Sequence, residues 1–295
     1  MGGLSMFPAR PVLLVLALTM SVIAEDDPSV ACGGPTLPVD DKAIHDRMLS
    51  ELSALQAAGE ATPAATLIEQ LARTRHELDL PAAPSEPRTP AELFEALRSG
   101  VVLIGSLFKC EKCQNWHLAI ATGFVLTASG AVATNHHVVN DPKHGAMGAM
   151  TSDGKVHAVT EVLAADAAED VAVLQIDGEG FTPIPLGETA PAGTPVTVIG
   201  HPHNHFWSLT VGHVSRYAVA VKEKRRVSRL IITADYAQGS SGSPVLNDRG
   251  AVIGIAASTH SVHAEGHGEE KAPNLQMVVK ECVAVEALRR LVAPE

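Results

Sequence analysis

From residue 101 onward the chain is cut into short runs rich in Val, Ile, Leu and Thr, each stopped by Gly, Asn, Asp or Pro. Runs of this length cannot bury their apolar faces singly, so they must pair into sheets whose edges are closed or covered. Candidate strands occupy 101–106, 118–126, 131–134, 156–163, 171–176, 195–200, 209–215, 229–233, 244–247, 251–257 and 275–279. Helical spacing returns only at 282–292. Many short strands followed by one terminal helix specify an all-β barrel or sandwich.

The sequence before residue 101 follows other rules. Arg10 precedes the apolar run PVLLVLALTM, and Val22 and Ala24 put compact residues at the −3 and −1 positions of a cleavage site. Residues 1–24 therefore read as a secretory signal peptide, which predicts an exported, periplasmic or secreted protein. The run is too short for a transmembrane anchor. Ile44, Met48, Leu52 and Leu55 recur at helical spacing over 40–58, stopped by Gly59, and 62–78 repeats the pattern after Thr62-Pro63. Residues 25–80 thus read as a helical extension, 81–90 (PAAPSEPRTP) as a proline-rich linker, and 91–295 as the main domain. Thr89-Pro90-Ala91-Glu92 is a capping box that opens a short helix through Leu97.

A net charge of −11 argues against nucleic acid or an anionic membrane as the principal partner. The basic cluster KEKRRVSR at 222–229 reads as an exposed hairpin.

Three stretches carry chemistry. QGSSGSPVL at 238–246 sets a serine among glycines in a turn, where backbone N–H groups can converge on one point. A serine hydroxyl needs a base, and the base needs an orienting carboxylate. TNHHVV at 134–139 offers two adjacent histidines, and AAEDVAVLQI at 167–176 offers an acid at the head of an alternating strand. Residue types alone leave open which of His136 and His137 would act.

Together, ATGFVLTASGAVATNHHVV, EDVAVLQI and QGSSGSPVL resemble the trypsin-like serine peptidases of the bacterial HtrA/Deg type. The family's Thr-Asn-x-His-Val-Val pattern falls on Thr134 to Val139 and selects His137 as base, leaving His136 at the variable position. By the same resemblance Asp170 is the orienting acid, Ser241 the nucleophile, and the Gly239 and Ser241 N–H groups the oxyanion hole. Ser240 and Ser243 depart from the family's Asn and second Gly. The resemblance spans roughly 90–292 and is supported by VTVIGHPHNHFWSLTVGHVSR at 196–216 and NLQMVVK at 274–280. It implies a chymotrypsin-like double β-barrel without an attached C-terminal PDZ domain, acting on protein or peptide substrates and needing no cofactor. Assembly with further copies is left open. The alternative is a non-hydrolytic peptide-binding protein that keeps the peptidase fold. A histidine-centred metallohydrolase lacks a framework such as HExxH.

Trypsin-like enzymes can carry an acid at the base of the primary specificity pocket, a position that falls on Asp235, with Thr259 on the pocket wall. Cys110, Cys113 and His117 cluster in KCEKCQNWH at 109–117. A local disulfide or an inert thiol pair is the first reading, and a structural zinc lacking its fourth ligand is the second. His201, His203 and His205 read as surface-loop residues.

Overall fold

The computed structural model describes residues 38–110, 112–113, 115–264 and 274–293. The expected signal peptide and Cys32 lie outside these residues. The core is all-β, with helices packed around it. Among the described residues six strands come first: β1 (Val101–Lys109), β2 (Trp116–Val125), β3 (Ala131–Thr134), β4 (His144–Met150), β5 (Val156–Asp166) and β6 (Val171–Ile176). They form a closed barrel in the order β1-β2-β3-β6-β5-β4, with Gly105 of β1 opposite Gly148 of β4 at the closure. Six more follow: β7 (Pro195–Gly200), β8 (Ser208–Lys222), β9 (Arg225–Ile232), β10 (Pro244–Asn247), β11 (Val252–Ala264) and β12 (Asn274–Ala284). These pair in the order β10-β11-β12-β9-β8-β7, and β7 bonds back to β10 with Val198 opposite Val245.

The expected helices form at 41–58 and 90–97, and the terminal helix expected over 282–292 is shorter, because 282–284 belong to β12. α1 (Asp41–Ala58) starts at Asp40, whose carboxylate accepts from Ala43 N–H, and stops at Gly59 in a left-handed conformation (φ 75°). α3 (Pro90–Leu97) opens on the Thr89–Glu92 capping box, and α5 (Val285–Val292) closes the described chain. Ile44, Met48 and Leu52 of α1 are fully buried in one cluster with Leu103, Leu107, Phe124 and Met150 of the barrel. This explains β4, a strand the sequence pattern did not suggest. Its HGAMGAM lacks β-branched residues because the helix lies against it. A Cβ on Gly148 would come within 2.9 Å of Leu52 Cδ1, and one on Gly105 within 2.5 Å of Met48 Cε.

The second predicted helix is shorter than its spacing suggested. α2 runs only over Ala64–Gln70. Beyond it, tertiary hydrogen bonds replace helical ones. Arg73 C=O accepts from Ala165 N–H, Arg73 Nη1 donates to Val162 O, and the His76 and Leu78 N–H groups donate to Leu291 O and Val292 O.

Candidate active site

His137 stands on a single helical turn, α4 (His136–Val139), immediately after β3. Its ring Nδ1 lies 2.9 Å from Asp170 Oδ2, and its Nε2 lies 3.0 Å from Ser241 Oγ. Asp170 also accepts from the His137 backbone N–H at 3.0 Å, so one carboxylate fixes both the ring and the turn carrying it. His136, next door, is partly buried, and burial lowers its pKa below the ordinary histidine value.

Each of these side chains is positioned by identifiable local bonds. Asp170 has φ +62°, a left-handed conformation that aspartate tolerates better than most residues. Its backbone carbonyl accepts from Nδ2 of the fully buried Asn135 at 2.9 Å. The turn ahead of it is gripped from the other set of strands. Arg229 of β9, only 3% exposed, donates to Ala168 O and Glu169 O at 3.0 Å each and lies 3.4 Å from the buried Glu169 carboxylate. Arg290 also donates to Glu169.

The Ser241 turn is fixed just as closely. Thr122 N–H donates to Ser241 O at 2.8 Å, and Thr122 Oγ1 donates to Gly239 O at 2.9 Å. Gly239 and Gly242 have φ of +94° and +90°, and a Cβ on them would meet His201 O at 2.4 Å and Thr122 O at 1.9 Å, so both positions require glycine. Beside Ser241 lies a cavity of about 300 Å³, lined in part by Ala119, Ile120, His137, Val138 and Gln238.

Other residues singled out from the sequence sit elsewhere. Asp235 and Thr259 are not among the residues lining that cavity. The Asp235 side chain is 86% exposed and pairs with Lys280 Nζ at 3.1 Å, and Thr259 is exposed on β11. His203 and His205 are exposed as expected, but His201 is not a surface residue. It is fully buried, its Nδ1 accepts from Trp207 N–H at 3.1 Å, and burial pushes its pKa down to about 3, so it is neutral. No disulfide joins Cys110 to Cys113. Instead the ligand atoms of Cys110, Cys113 and His117 lie within 4.8 Å of one another, a cluster able to coordinate a metal ion.

The residue that sequence reasoning missed is Arg229, which belongs to a cluster read as solvated. Lys222 and Arg225 do flank an exposed turn, but Arg229 follows the buried Val227 by two residues and so shares its inward face. That alternation was its one signal. Arg229→Met should lower stability by about 3 kcal/mol, because two backbone carbonyls and part of Glu169 lose their donor in a buried site. Urea unfolding followed by circular dichroism measures this, and an unchanged midpoint would show that the guanidinium braces nothing.

The trypsin-like peptidase domain family matches residues 121–255. Over part of its length the chain is similar to bacterial DegP-like and DegS serine endoproteases. A probable periplasmic serine endoprotease DegP-like of Ectopseudomonas mendocina is 30% identical over 139 residues, 46% of this chain and 29% of its own length. The DegP-like protein of Chlamydia trachomatis is 26% identical over 232 residues, 73% of this chain and 44% of its own. Serine endoprotease DegS of Escherichia coli K12 is 27% identical over 206 residues, 67% of this chain and 57% of its own. The chain thus matches less than two thirds of each relative's length. In fold it is similar to the serine endoprotease of Yersinia pestis (TM-score 0.52, 21% identity, covering 70% of this chain and 66% of that one). No helix among the described residues is long and apolar enough to cross a membrane.

Proposed function

We propose that the protein is a serine endopeptidase of the HtrA type that cleaves protein or peptide substrates through a covalent acyl-enzyme. The observation that carries this reading is the bridging of Asp170 and Ser241 by one imidazole, at 2.9 and 3.0 Å. His137 Nε2 takes the Ser241 proton as Oγ attacks the peptide carbonyl, and Asp170 holds the Nδ1–H tautomer and stabilises the imidazolium. His137 then protonates the leaving amine and activates water to release the acyl group.

Gly239 and Ser241 N–H groups receive the oxyanion in this mechanism. Support comes from Gln238, whose carbonyl accepts from His203 N–H at 2.7 Å. A trans peptide directs its N–H opposite to its C=O, so that bond turns the Gly239 N–H away from His203. The chemistry calls for no cofactor.

The two sets of strands are read as the paired barrels of the chymotrypsin type, with Ser241 joining the His137–Asp170 half across the cleft between them. Residues 91–295 form the peptidase domain and 25–80 an extension of it. Residues 1–24 direct export to the periplasm or beyond, a reading supported by the similarity to probable periplasmic DegP-like endoproteases.

A fluorophosphonate probe tests the reading. The folded wild-type protein should be labelled on Ser241 at one equivalent, and Ser241→Ala should take no label, whereas Ser240→Ala should keep it. A folded wild type that resists labelling would leave the peptide-binding alternative standing.

A further inference from the structure

We infer that Cys110, Cys113 and His117 form a zinc site at the turn end of the β1–β2 hairpin. Cys110 directly follows β1, Cys113 occupies the tip, and His117 is the second residue of β2. The hairpin register therefore brings together three ligands that a short loop alone would not orient. Cys113 Sγ already lies 3.0 Å from His117 Nε2, and the whole ligand set falls within 4.8 Å. Tetrahedral zinc with ordinary bond lengths holds two thiolate sulfurs about 3.8 Å apart, and sulfur and nitrogen about 3.5 Å apart. The cluster needs to move by about an ångström at most to reach that geometry.

The ring that supplies the nitrogen is held in place from the neighbouring strand. Phe108 pairs with His117 across the hairpin and stacks on it, with centroids 5.6 Å apart and planes 29° apart. Two sulfurs and an imidazole select a thiophilic ion such as zinc over calcium or magnesium. On binding, the Cys110 and Cys113 thiols each lose a proton to solvent and coordinate as thiolates, while neutral His117 donates its Nε2 lone pair. The two thiolate charges offset that of Zn²⁺, so the three-ligand site is neutral overall, and with Cys113 exposed a water could supply the fourth ligand. Phe108 also lines a cavity of about 440 Å³ with Leu118, Ile120 and Gln238, so the ion would fix the end of the strand that walls this space.

The site involves none of the residues assigned to hydrolysis, so the full chain carrying Ser241→Ala can be used, and the result is independent of whether the protein cleaves anything. The reduced, chelator-stripped protein is titrated with Co²⁺ and then Zn²⁺. One Co²⁺ per chain should bind with a near-ultraviolet thiolate-to-cobalt charge-transfer band, and one Zn²⁺ should displace it. Cys113→Ser should lower zinc affinity by about 100-fold or more, at or beyond the upper end for losing an outer-sphere partner. His117→Ala should weaken binding while the thiolate band persists. A band whose intensity is unchanged by Cys113→Ser overturns the site, as does the absence of any thiolate band. Mass spectrometry of the exported protein, isolated with its thiols trapped, gives the last outcome: an intact Cys110–Cys113 disulfide also overturns it.

Discussion

Replacing His137 with alanine should lower kcat by about 10⁶-fold while leaving the fold intact, the scale of loss when a triad's base is removed. The side chain is half exposed, so its removal opens no core cavity. What disappears is the one group that bridges Asp170 and Ser241. His136→Ala should change kcat less than about tenfold, since hydrolysis assigns its imidazole no proton to move. Peptide hydrolysis measured on variants with matching circular-dichroism spectra separates the two. Equal losses in both would mean that the adjacent histidines share the role and that the assignment of His137 alone is wrong.

A chain beginning at Thr89 should fail to fold. The Pro-rich stretch at 81–90 looks like a place to cut, but α1 lies on the far side of it and fills the barrel's flank. Truncating one buried Leu or Met to Ala typically costs about 2–5 kcal/mol, and the deletion removes Ile44, Met48 and Leu52 together, all at 0% exposure. The sum, about 6–15 kcal/mol, is as large as the ~5–15 kcal/mol that holds an ordinary domain together. The deletion also strips the cover from Gly105 and Gly148, where the strands left room for the helix. The check is proteolytic resistance and near-ultraviolet dichroism of the truncated chain beside Leu52→Ala in the full chain. If the truncated protein gives a native-like spectrum and keeps a reactive serine, the helix is a dispensable appendage.

The legible parts of this protein are those where local chemistry and tertiary context agree. Gly59 and the Thr89 capping box marked helix ends because the backbone groups they satisfy are their own neighbours. Residues 137, 170 and 241, whose side chains the structure brings together, could be singled out because their flanking strands and glycines carry a strong pattern. What stayed hidden depends on distant partners. β4 reads as featureless Gly, Ala and Met because its shape answers to α1. Residues 73–78 leave the helix that the spacing predicts, and Arg73, His76 and Leu78 bond instead to Ala165, Leu291 and Val292. Arg229 looks solvated until the turn before Asp170 is brought against it. His201 looks like a loop residue until Phe206 and Trp207 close over it. In Asp235 the error was one of analogy. An acid at a familiar interval before the serine was given a pocket, whereas its side chain is exposed and pairs with Lys280.

The division of the working parts between the two sets of strands has a consequence for how the chain is made. His137 and Asp170 leave the ribosome first, with Arg229 and Ser241 following only after the second set of strands has begun. Between the addition of residues 170 and 229, then, the growing polypeptide holds the proposed base and acid with nothing to activate, and its acid turn has not yet met the guanidinium that fixes it. Chains stalled or cut short before residue 241 are inert by composition. On the proposed chemistry, the capacity to cut proteins arrives late in translation, when the sequence that must survive it is nearly all in place.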